Sequence, residues 1–181
     1  MLGSISLHPL ASVHTFAGWL SATSASSSIK SVSWVIPFVQ SIHIVTIGVV
    51  FVSCLMIALR VLGTMRADEP LEAVWRRFAP WMWSGLLVMA ATGFTLVVGE
   101  PEREFGATSF WVKMLLVAIG VSSTALYGRS LRTAAVGARA EYPVSVKAAS
   151  ILIVIVWLAV IFLGRAIAYD KQVWGALSSH A

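Results

Sequence analysis

Apolar and polar positions divide the chain into four long runs that are uncharged or nearly so, separated by polar stretches. Pro37 to Leu59 holds no formal charge and one histidine, Pro80 to Gly99 no charge, Phe110 to Tyr127 only Lys113, and Ala148 to Ala168 only Arg165. A hydrocarbon core about 30 Å thick needs about 20 apolar residues per helix. Each run therefore predicts one transmembrane helix, at about 37–59, 80–99, 110–127 and 148–168. Pro37 and Pro80 stand where proline suits the first turn of a helix. Upstream, Leu10, Val13, Ala17 and Leu20 recur at helical spacing, which predicts a short amphipathic helix over 9–22 lying on a membrane face. Ser21 to Ser28 reads as the end of that helix and a flexible hinge. The expected fold is all-α, an integral membrane four-helix up-down bundle preceded by an N-terminal amphipathic interfacial helix. Residues 1–33 form the interfacial helix and hinge, 34–169 the transmembrane domain, and 170–181 a short outer tail.

Composition supports the membrane reading, since 58% of the 181 residues are hydrophobic and 12% charged, against about 25% charged in soluble domains. The mean hydropathy is +0.85. The thirteen Lys and Arg form no surface stripe, so nucleic acid is not an expected partner. They carry topology instead. Residues 60–79 hold Arg60, Arg66, Arg76 and Arg77, and residues 128–147 hold Arg129, Arg132, Arg139 and Lys147, whereas 100–109 carries Glu100, Glu102 and Glu104 against Arg103. Basic residues are retained in the cytoplasm. Both termini and the acidic connection are therefore expected on the periplasmic side of a bacterial inner membrane. Trp34, Trp111 and Trp174 fall at the outer interface, Trp75, Trp81 and Trp83 at the inner one, and Trp157 in mid-membrane. The chain start has no basic n-region, and no cleavage is expected.

Single Cys54 excludes an internal disulfide and a cysteine metal cluster within one chain. No P-loop, dinucleotide fingerprint, zinc-protease motif or nucleophile elbow occurs, and no catalytic set is assigned. The chemistry lies in three ionisable side chains inside the spans, His43, Lys113 and Arg165, each costing about 3 kcal/mol or more in hydrocarbon unless paired or hydrated. Alternating topology brings all three to the outer leaflet. Gln40, next to His43 on one helical face, can orient the imidazole. Lys113 shares a face with Gly120 and Thr124, a small-xxx-small pair that directs it towards a packed interface.

Two readings of this cluster stand. In one, His43 is an axial ligand to haem b, Lys113 and Arg165 pair the propionates, and His14 is a candidate second ligand, with His180 weaker. In the other, His43 donates one interhelical hydrogen bond while Lys113 and Arg165 snorkel to lipid phosphates or to Glu100, Glu102, Glu104 and Asp170. Ser122, Ser123 and Thr124 are expected to bond back to their helix or across to a neighbour.

The stretches QSIHIVTIGVVFVSCLMIALRVLG, RFAPWMWSGLLVMAATG, FWVKMLLVAIGVSSTALYGR and IVWLAVIFLGRAIAY resemble an uncharacterised family of small four-helix bacterial inner-membrane proteins, over about 34–169. They are more distantly similar to the copper-resistance protein D family and the HemJ-type protoporphyrinogen oxidases. This resemblance implies His43 as a haem or metal ligand and Lys113 as the helix-three lysine. Trp111 stands where HemJ-type proteins carry a second histidine, and Gly128 where some close relatives carry one. The iron would then be five-coordinate, or take its sixth ligand from His14, a methionine or another chain. The leading expectation is a small haem b protein passing electrons to a quinone or a membrane redox partner. A non-catalytic subunit of a larger complex or homo-oligomer, and a path for copper or a small solute, are the alternatives.

Overall fold

The computed structural model describes residues 9–133 and 142–175. Eight α-helices follow one another among these: α1 (Pro9–Ser21), α2 (Ser24–Ser31), α3 (Val35–Leu62), α4 (Leu71–Gly99), α5 (Pro101–Phe105), α6 (Thr108–Thr133), α7 (Val144–Ala166) and α8 (Asp170–Trp174), with a 3₁₀ turn at Ile167–Tyr169 before the last. Four segments, Val35–Leu62, Leu71–Gly99, Thr108–Arg129 and Val144–Tyr169, are long and apolar enough to cross a membrane. The chain is thus an all-α membrane bundle, and no strand occurs among the described residues.

Packing pairs α3 with α4 and α6 with α7, and α3 also lies against α7. Helices α4 and α6 meet where the edge of the Trp75 ring lies over Gly128, so close that an added Cβ would be 2.4 Å from the ring. Val50, Val61, Val74, Met82, Trp157 and Val160 fill the centre and are almost inaccessible. Gly120 does in α6 what its spacing implied: a Cβ there would stand 3.3 Å from Val156 and 3.4 Å from the Trp157 ring. The helices therefore approach closely at that point.

Three expectations change. Helix α4 begins at Leu71, nine residues before Pro80, which lies inside the helix. Leu71, Val74, Trp75, Ala79 and Met82 are buried at spacings of three and four, so an amphipathic lead-in continues the apolar span despite its arginines. The Ser-rich hinge is instead largely a helix. Thr23 caps α2 by accepting the Ser26 N–H, and the hydroxyls of Ser27 and Ser31 donate to carbonyls three or four residues back, so local bonding replaces flexibility. The tail after residue 169 is ordered at its start. The buried Asp170 carboxylate accepts the Thr108 and Ser109 N–H groups at 3.2 and 2.9 Å, and Trp174 Nε1 donates to Ser109 Oγ at 2.8 Å. Helix α8 thereby closes the start of α6, satisfying amides that a helix start leaves open.

Helices α1, α2, α5 and α8 gather at one end of the bundle, hereafter the terminal end. There Phe105 of α5 makes edge contacts with Phe16 of α1 and with Phe110, at 5.8 and 5.5 Å between ring centroids. Trp111 Nε1 donates to the Phe105 carbonyl at 3.0 Å. At the far end, Gly63 with φ 75° ends α3. The turn beyond it is held by Arg60 Nε donating to the Glu69 carbonyl at 2.6 Å, and by Glu69 pairing with Arg66 and Arg77.

Candidate functional site at the terminal end

His43 lies two turns into α3 and turns its ring onto α4. Its Nδ1 is 2.8 Å from Thr92 Oγ1, and that oxygen is also 2.8 Å from the Val88 carbonyl one turn back in α4. The hydroxyl has one proton. Given to Val88 in ordinary helical back-bonding, it leaves the Thr92 lone pairs to accept from Nδ1–H. With the protons so placed all three groups are satisfied and Nε2 carries the lone pair. A second hydrogen bond to the other ring nitrogen is how proteins orient a ligating imidazole. Gly93 lies beside the ring, where an added Cβ would stand 3.4 Å from His43 Cε1.

Thr92, not Gln40, is the orienting partner; Gln40 is half-buried on the same helix as His43. The interhelical bond expected of His43 in the simpler reading is present, and it leaves Nε2 uncommitted.

Lys113 is one turn into α6 and mostly covered. Its stem runs over Gly164 of α7, its ammonium lies 5.2 Å from the centre of the Phe110 ring, and its nearest carboxylate oxygen is Glu104 Oε2 at 4.0 Å. The two side chains are only 18% and 12% exposed, so this weak pair is shielded from water. Burial raises the Glu104 carboxyl above its ordinary pKa, with Glu100 adding to the shift and Lys113 and Arg103 opposing it. The short α5 helix positions this carboxyl, locked by the Phe105 contacts.

Arg165 diverges from this pair. It is exposed, its Nη2 lies 3.5 Å from the Tyr169 hydroxyl, and its guanidinium stacks 5.5 Å from the centre of that ring. Asp170, a candidate partner for the cations, is committed to the α6 amides instead. His14 is exposed on α1 and takes no part in the His43 network; His180 lies outside the described residues. No group of three or more His, Cys, Asp or Glu able to hold a metal ion occurs among the described residues. The structure therefore unites His43, Thr92 and Gly93 at the α3–α4 contact and, separately, Lys113 with Glu104 at the start of α6. Thr92 and Gly93 escaped sequence reasoning because their relation to His43 spans 49 residues and carries no local signature.

These features define a multi-pass membrane bundle with a small polar site near its terminal end. The family described as "Family of unknown function (DUF6644)" matches residues 16–170, and the chain belongs to it. No curated protein and no solved structure matches the chain.

Proposed function

We propose that this protein is a small haem b protein of a bacterial inner membrane, with both termini periplasmic. It would pass electrons between a periplasmic-side partner and a quinone or another membrane redox protein. The observation that carries the reading is the His43–Thr92–Val88 hydrogen-bond chain, which holds the ring against α4 with Nε2 free to ligate. Intramembrane histidine is costly without a role, and a ring oriented by a hydrogen bond at Nδ1 suits an iron ligand.

The donor that haem iron would take from this chain is the His43 imidazole. His43 would hold the iron and Lys113 would meet a propionate, with Glu104 as its neighbour. When bound, haem supplies a one-electron couple, whose potential depends on the axial ligand and on burial. Arg165, on the exposed face with Tyr169, suits the lipid headgroup region better than the cofactor. A second ligand, where there is one, would come from His14, a methionine or another chain.

Haem titration of the purified chain and of His43→Ala tests this. Stoichiometric binding should be lost in the variant while helicity is kept; full haem retention by His43→Ala would refute the ligand assignment. The basic segments 60–79 and 128–147 support the orientation through the positive-inside rule.

A further inference from the structure

In the half of the bundle remote from the termini, α3, α4, α6 and α7 border a small, partly open cavity of about 20 Å³. Thr124 and Tyr127 of α6, Ser150 of α7 and Cys54 of α3 line it. Of the hydroxyls and the thiol around it, all but one have a partner in the protein. Ser150 donates to the Lys147 carbonyl at 2.7 Å, Tyr127 to the Val146 carbonyl at 3.3 Å, and Cys54 weakly to Met82 Sδ at 3.5 Å. Thr124 Oγ1 has no partner in the protein, and the residue is only 4% exposed.

That exception departs from the habit of this chain. Thr46, Ser53 and Thr95 all return their hydroxyl proton to the carbonyl four residues back, as is usual for hydroxyls in apolar helices. Thr124 does not, contrary to the expectation that it bonds to its own helix or a neighbour, and it borders the cavity instead. A buried hydroxyl left alone costs about 1–3 kcal/mol. Lipid offers it no partner. A space of about 10–15 Å³ suffices for one water provided two to four polar groups surround it.

We propose that this cavity is a binding site for a single water molecule. The water accepts the Thr124 proton and donates to the remaining lone pairs of Ser150 Oγ and Tyr127 Oη, tying α6 to α7 beside the Tyr127–Val146 bond. This gives the water three partners, the usual number for a buried one. The neighbouring apolar walls, Ile57 and Ile153 among them, confine it.

Replacing Thr124 by its isostere separates the alternatives by sign. If the water is bound, Thr124→Val removes one of its three bonds and lowers the melting temperature of the detergent-solubilised full-length chain by about 2–4 °C. If no water is bound, the valine removes an unsatisfied hydroxyl and the melting temperature holds or rises, which overturns the proposal. A second measurement needs no variant to fold: solid-state NMR of the threonine- and valine-labelled wild-type chain in bilayers, with polarisation transferred from water protons at short mixing times. Early transfer to the Thr124 signal, with none to the buried Val50 signal, is expected; absence of transfer to Thr124 would overturn the site.

Discussion

Replacing Asp170 by alanine should be among the most destabilising single changes away from the central core. Its carboxylate accepts two backbone N–H groups at the start of α6, at 2.9 and 3.2 Å, and is 4% exposed. Hydrogen bonds to a charged group contribute about 1.5–3 kcal/mol each, and the longer of these two belongs at or below the low end. A negative charge at a helix start adds about 0.3–1 kcal/mol. Removal strands two amides, one of them on fully buried Ser109, so the loss should be about 3 kcal/mol. Asp170→Asn keeps the shape and one good acceptor oxygen but loses the charge, and about half of that loss is expected. Equilibrium unfolding of the full-length chain in mixed detergent and dodecyl sulfate micelles reads both. A loss below about 1 kcal/mol for Asp170→Ala would show that water or lipid headgroups satisfy these amides equally well, refuting the reasoning.

Gly128→Ala places a methyl group against the Trp75 ring edge, where a Cβ would be 2.4 Å from the nearest ring atom, so the ring must shift. Overpacking of this kind costs about 1–3 kcal/mol, measured in the same unfolding assay. Glu104 supplies a pH dependence. Because burial raises its folded pKa above the ordinary 4.5, the folded state holds the proton more tightly than the unfolded state. Its contribution to stability is therefore greatest below the ordinary value, falls as pH rises through the window up to the folded pKa, and is level beyond. Thermal melts across that window should show the decline, and Glu104→Gln should flatten it. A reporter inserted at residue 135 should be active only in its cytoplasmic form; a periplasmic signal would overturn the proposed orientation.

The four spans were legible because hydrocarbon demands apolar length, a property each segment carries in itself. Ends were less legible. Leu71 to Ala79 reads as a basic loop by charge, yet its buried residues recur at helical spacing and extend α4 past Pro80. Ser21 to Ser28 looks flexible by composition, but within α2 serine hydroxyls close local bonds and Thr23 supplies the cap. At the site, the residue types costly in lipid pointed to His43 and Lys113 without help from the fold. Thr92, Gly93 and the commitment of Asp170 to α6 depend on which helices pack together. Thr92 is an ordinary helical hydroxyl until α4 lies against α3, and Arg165 resembles Lys113 in sequence depth but turns to Tyr169.

The most direct test of the central claim is the visible absorption spectrum of the purified chain from haem-replete cells, oxidised and then dithionite-reduced, with a pyridine haemochrome assay for stoichiometry. A Soret band with a reduced α-band, near one haem per chain and lost in His43→Ala, is the predicted result. A colourless chain that takes up no added haem would contradict the account.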